Sequence, residues 1–132
     1  MGVRVNDQMR EQKGNGRLVN ASGKTGEKGC WGQFAAWCDY SGEVNGKKVG
    51  IALFDDPKNP YPAAWHSRGY GLMAANPFGR EGSGFPARKG QADLVKLAKG
   101  ERLRLRYGIY LHAGDAKEGK VAEAFEQFNK MK

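Results

Sequence analysis

The feature that most constrains this chain is residues 43–57, EVNGKKVGIALFDDP. Asn45 and Gly46 supply the positive φ angles of a type I′ turn, and Val49, Ile51 and Leu53 follow with the period of two that marks a half-buried strand. An antiparallel hairpin is the economical solution. Pro57, Pro60 and Pro62 come next; each lacks a backbone donor and restricts the residue before it, so regular pairing must stop and the chain must loop.

The rest of the chain reads as short strands between turns. GVRV and RLVN suggest two short strands, with the loops REQKGNG and ASGKTGEKG around the second. CWGQFAAWCDYSG alternates weakly, which predicts a strand with Phe34, Ala36, Cys38 and Tyr40 on one face and Ala35, Trp37 and Asp39 on the other. WHSRGYGLMAAN returns as one or two strands, PFGREGSGFPARKGQ is a long glycine-rich loop, and ADLVKL is a further strand. ERLRLRYGIYLHAG predicts a long strand with Leu103, Leu105, Tyr107, Ile109 and Leu111 on one face and Arg102, Arg104 and Arg106 on the wet one. The character then changes. Asp115 followed three residues later by Glu118 is a capping signature, and Val121, Phe125 and Phe128 fall at i, i+4 and i+7, which predicts an amphipathic helix. The expected fold is mainly β, an antiparallel β-sandwich with one C-terminal helix, forming a single domain over residues 1–132.

Composition supports this and removes several function classes. Twenty glycines are well above the ordinary share of about 7%, as frequent tight turns require. The net charge of +8 favours encounter with polyanions, but no helix-turn-helix, zinc-finger or RNP pattern accompanies it, so nucleic acid is not the expected partner. No apolar run approaches the roughly 20 residues of a membrane helix, and residues 1–8 lack the apolar core of a signal peptide. As written, the chain reads as soluble and cytoplasmic, with a periplasmic or secreted location open if an N-terminal segment precedes it. Cys30 and Cys38 form no CxxC and have no histidine cluster beside them; they can pair or stay reduced as small buried hydrophobes. Neither a metal nor a cofactor is expected.

The chemistry-bearing residues gather around the proline corner. On a strand, His66 and Arg68 share a face while Trp65 and Ser67 point the other way. His66 and Arg68 are therefore the leading catalytic candidates, with Asp55 or Asp39 as acid-base partner. Each has a plainer reading. A lone histidine often only holds a hydrogen bond, and Asp55 and Asp56 before Pro57 can simply fix a turn. Asp39 on a crowded strand needs an arginine partner or an open cleft. Asn59, Trp65, Tyr70 and Asn76 are the ligand-binding candidates. Aromatics including Trp31 and Trp37 could stack on sugar rings, although aromatics in a small β domain are more often core. His112 reads as a turn or capping residue at the end of the long strand. No nucleophile or phosphate-loop motif is visible.

Three blocks, GCWGQFAAWCDYSG, GKKVGIALFDDPKNPYPAAWHSRGYGLMAANPFG and KGERLRLRYGIYLHAG, resemble the bacterial PmoA-like family of unknown function, whose label derives from a methane oxygenase subunit. The resemblance implies an incomplete sandwich of the galactose-mutarotase supersandwich type, matching the C-terminal half of longer members. It places Asp39, Asp55, Asn59, His66, Arg68 and Asn76 in the family's polar motif. It also implies a carbohydrate ligand, bound or changed by sugar isomerisation or glycoside cleavage, and a homo-oligomer or a separate N-terminal half to complete the sheet. Methane oxidation is not expected, because this sequence lacks the spanning helices and metal ligands that it requires. The alternatives are a non-catalytic interaction module and a basic surface for an acidic polymer.

Overall fold

The computed structural model describes residues 1–92 and 95–131. Seven strands form two antiparallel sheets. The first sheet has three strands in the order β1 (Gly2–Arg4), β6 (Leu72–Asn76), β5 (Ala64–Arg68); the second has four, β2 (Arg17–Asn20), β3 (Trp37–Val44), β4 (Lys47–Asp55), β7 (Tyr107–Ala113). A short helix α1 (Gly26–Cys30) follows β2, and α2 (Val121–Lys130) closes the chain. The architecture is mainly β and is that of a β-sandwich with one C-terminal helix.

The predicted hairpin forms. Asn45 at φ 50° and Gly46 at φ 77° make the turn between β3 and β4, which then pair from Val44 and Lys47 out to Trp37 and Phe54. Alternation fixes which side chains meet the opposite sheet. Leu18, Cys38, Tyr40 and Leu53 turn inward against Trp65, Met73 and Ala75, all buried. The Tyr40 hydroxyl reaches across the sandwich, accepting from the Glu11 N–H at 2.9 Å and donating to the Gly69 carbonyl at 3.1 Å, so this buried polar group is satisfied.

The opposite face of the four-stranded sheet carries Ala52 and Phe54, and α2 packs Val121, Phe125 and Phe128 onto them. These are the three positions that the helical spacing selects. The capping signature also forms, with Asp115 Oδ1 accepting the Lys117 and Glu118 N–H groups and Glu118 Oε2 accepting that of Asp115. It closes a separate turn, however, because Lys120 adopts φ 52° and α2 begins only after it.

Three sequence expectations change. CWGQFAAWCDYSG is not one strand: its first residue ends α1, and β3 starts at Trp37. The long strand starts at Tyr107, because the Arg106 N–H goes to the side chain of Asn59, which also shares the Arg106 carbonyl with the Asp56 N–H, and the ladder ends there. Of the strand predicted in ADLVKL, residues 93 and 94 lie outside the described residues, and the flanking positions have no regular structure.

Candidate functional site

The outer face of the four-stranded sheet, beside α2, holds the most unusual polar arrangement. Asp39 and Ser41 of β3 point to this face because Cys38 and Tyr40 point inward. His112 reaches it from β7, two strands away. Between them in the sheet lies Gly50, paired with both Ser41 and His112. A Cβ built at Gly50 would stand 2.2 Å from the His112 ring, so only glycine leaves room for the imidazole to lie across β4. His112 Nε2 thereby meets Asp39 Oδ1 at 2.7 Å, its Nδ1 lies 3.2 Å from the Ala113 carbonyl, and its ring stacks on Tyr110 at 5.6 Å.

Both side chains are enclosed, His112 at 1% exposure and Asp39 at 0%. Burial pushes the Asp39 carboxyl up, and the hydrogen bond and charge of His112 only partly offset it. For His112 burial works against protonation, but the hydrogen bond and charge of Asp39 prevail and its pKa is raised. The second carboxylate oxygen of Asp39 has no hydrogen-bond partner.

Next to this pair the surface opens into a cleft of about 210 Å³, lined by Asn15, Arg17, Ser41, Glu43, Lys48, Asp115 and Glu118. Amide, hydroxyl, carboxylate and cationic groups thus converge on one concavity. The Glu118 N–H is the main cause holding Asp115 below the usual carboxylate range; the Lys117 N–H and the charges of Lys48 and Arg17 add to it.

His66 and Arg68 do share a face of β5, on the outside of the three-stranded sheet, as alternation requires. The carboxylate that joins them is Glu27 of α1, bound to Arg68 Nη1 at 2.9 Å. Trp31 fills the space between them: the Arg68 guanidinium stands 3.6 Å from its ring centre, and its ring meets His66 edge-on at 4.6 Å. Phe85 closes against both Trp31 and His66. Burial, and then the Arg68 charge, lower the His66 pKa. This is a packed cation and aromatic cluster more than an open cleft.

The remaining candidates are dispersed. Asp39 faces the opposite side of the sandwich. Asp55 holds the proline corner, accepting the Ala63 N–H and the Asn59 amide, each at 2.8 Å. Trp65 is wholly buried with its indole N–H on the Ala35 carbonyl, so it is core and cannot touch a ligand. Tyr70 is partly exposed beneath the Arg4 guanidinium, and Asn76 accepts the Phe78 N–H in a turn.

Sequence reasoning missed Glu27 and the role of His112. Glu27 sits in a segment that reads as loop, and the Asp39–His112 contact spans 73 residues. Its one sequence signal is Gly50 inside an otherwise regular strand, where a glycine marks a close approach. Among the described residues, no group of three His, Cys, Asp or Glu could hold a metal ion, and no helix is long and apolar enough to cross a membrane.

A model described as a family of unknown function (DUF6807) matches residues 1–126. That match carries no link to a methane oxygenase subunit. No curated protein and no solved structure matches the chain.

Proposed function

The chain belongs to this family of unknown function, DUF6807, and from that premise we propose that it is a carbohydrate-binding β-sandwich whose ligand lies in the cleft on the outer face of the four-stranded sheet. The observation that carries this reading is the convergence of Asn15, Arg17, Ser41, Glu43 and Lys48 on one open concavity. A hydroxyl-rich ligand needs such alternating donors and acceptors, since every group that it buries must find a partner. The Asp39–His112 pair does not line the cleft itself; Ser41 and Gly114, each two residues along the chain from one of the pair, do.

Binding is favoured over catalysis because that pair is enclosed. A general acid or base must come within hydrogen-bond reach of the substrate, and side chains at 0–1% exposure do not. The Glu27–Arg68–Trp31 cluster is the second place for a sugar, since its aromatic and polar groups are only partly covered.

A glycan screen with four single variants tests both places. Arg17→Ala and Lys48→Ala should weaken any binding about tenfold or more, the usual cost of losing a charged hydrogen-bond donor. His66→Ala and Arg68→Ala should leave it unchanged. The reverse pattern would move the site to the three-stranded sheet, and no binding to any glycan would end the carbohydrate reading.

A further inference from the structure

The glycine-rich run of residues 79–90 is closed on itself. It holds two short 3-10 turns, Glu81–Ser83 and Pro86–Arg88. Ser83 and Phe85 donate to the Arg80 carbonyl, Gly84 donates to that of Glu81, and Arg88 to that of Phe85. The Gly90 N–H, bonded to Glu81 Oε2 at 3.1 Å, then joins the two ends. A segment that satisfies its own backbone in this way can move without giving up those bonds. Glycines bound it, Gly79 on one side and Gly90 at φ 71° on the other.

The run is seated over the cluster on the outside of the three-stranded sheet. Trp31 Nε1 donates to the Gly84 carbonyl at 3.1 Å, and Ala87 donates to that of Gly32 at 3.1 Å. Arg88 Nη2 donates to the carbonyls of Pro62 and Pro77, at 3.0 and 3.2 Å, which lie just before β5 and just after β6. Phe85, 3% exposed, fills the space that these ties surround, its ring centre 4.6 Å from that of Trp31 and 5.7 Å from that of His66. The fit is close. A Cβ at Gly32 would stand 2.5 Å from the Pro86 ring, and one at Gly79 would stand 2.5 Å from the ring of Phe85.

Arg88 works against this closure. Its side chain is 2% exposed, lies over the Phe34 ring, and has no hydrogen-bond partner for Nε or Nη1. A buried donor without a partner costs free energy that hydration returns, so opening recovers at Arg88 part of what it loses at Phe85. Segments held in this balance open without the rest of the fold. We propose that residues 79–90 are a flap hinged at Gly79 and Gly90, with Phe85 as its plug, which lifts as a unit to present Trp31, His66 and Arg68 to solvent. The packed cluster is then the closed state of a gated surface, and a ligand reaches it only through the open one.

This inference does not depend on the carbohydrate reading, and its test contains no glycan. Hydrogen exchange of the native chain gives the first measurement. The Ala87 amide and the Trp31 indole N–H, both tied across the closure, should exchange with the same opening constant, larger than that of the Trp65 amide, which is bonded to the Gln33 carbonyl. Phe85→Ala should speed both exchanges about tenfold or more and leave Trp65 protected. It should also raise the pKa of His66, which burial lowers first, while His112 on the other sheet keeps its own. Ala87 exchanging no faster than Trp65 overturns the proposal, because the run then opens only with the whole fold. Different opening constants for Ala87 and the Trp31 indole overturn it as well. So does Phe85→Ala that leaves the His66 pKa in place or moves both histidines together.

Discussion

Asp39 and His112 meet at 2.7 Å across an intervening strand, and the contact exists because Gly50 has no side chain to keep them apart. A strand glycine ordinarily weakens a sheet, since it adds backbone freedom to the unfolded chain and packs nothing. Here it admits an imidazole, and that inverts the expected effect of replacing it.

Gly50→Ala should therefore destabilise the protein by about 1–3 kcal/mol, the range for forcing extra volume into a filled site. Urea denaturation monitored by tryptophan fluorescence measures this. A variant as stable as the native chain, or more so as strand propensity alone would favour, would mean that the imidazole has space to move aside.

The pair should also leave a signature in the pH dependence of stability. A group whose pKa is raised on folding stabilises the fold fully below its unfolded value and loses that contribution as pH rises through the folded one. His112, raised from 6.5, should act this way above that pH, and Asp39, raised from 3.8, should act in the same sense at lower pH. His66, lowered from 6.5, acts in the opposite sense, its contribution being lost as pH falls. The useful comparison is thus native protein against His112→Gln, which keeps His66. Native stability should fall more steeply between pH 6 and 8 than that of the variant, and equal slopes would remove His112 from the account.

Asn59 ties the proline corner to the start of β7, accepting the Arg106 N–H at 2.7 Å and donating to both the Arg106 carbonyl and Asp55. Asn59→Ala leaves the partly buried Arg106 N–H without a partner and its carbonyl with the Asp56 N–H alone, a loss of about 1–3 kcal/mol. Thermal unfolding should show this as a lower Tm, with any glycan affinity unchanged. An unchanged Tm together with lost binding would give Asn59 the ligand role that the sequence reading assigned to it.

Cys30 and Cys38 are both free and wholly buried. Burial is the first cause of the raised Cys38 pKa, whereas the neighbouring Cys38 thiol is the first cause lowering that of Cys30. Enclosure should govern reactivity, because a thiol reagent must reach the sulfur. Neither thiol should label in the native state, and both should label in urea. Rapid labelling of one native thiol would show that the segment around α1 opens readily.

The parts of the fold that were legible in the sequence rest on local chemistry. Asn45-Gly46 dictates its own turn, alternation put His66 and Arg68 on one face, and the spacing of Val121, Phe125 and Phe128 picked out the buried side of α2. The illegible parts are those where distant residues decide. The long strand is interrupted at Arg106 by a side chain 47 residues away, and Gly26–Cys30 turns helical where the sequence reads as a loop running into a strand. The predicted union of His66 and Arg68 with Asp39 or Asp55 is of this kind. Same-face arithmetic is local, but which carboxylate arrives depends on how the two sheets stack, and the one that arrives is Glu27.

The central claim is that the outer cleft of the four-stranded sheet is a carbohydrate site. Titrating a glycan selected by the screen into labelled protein, and following backbone amide shifts, tests it most directly. Shifts concentrated at Ser41, Glu43, Lys48, Gly114 and Asp115 are the predicted result. Shifts concentrated at Glu27, Trp31, His66 and Arg68, or none at saturating glycan, would contradict it.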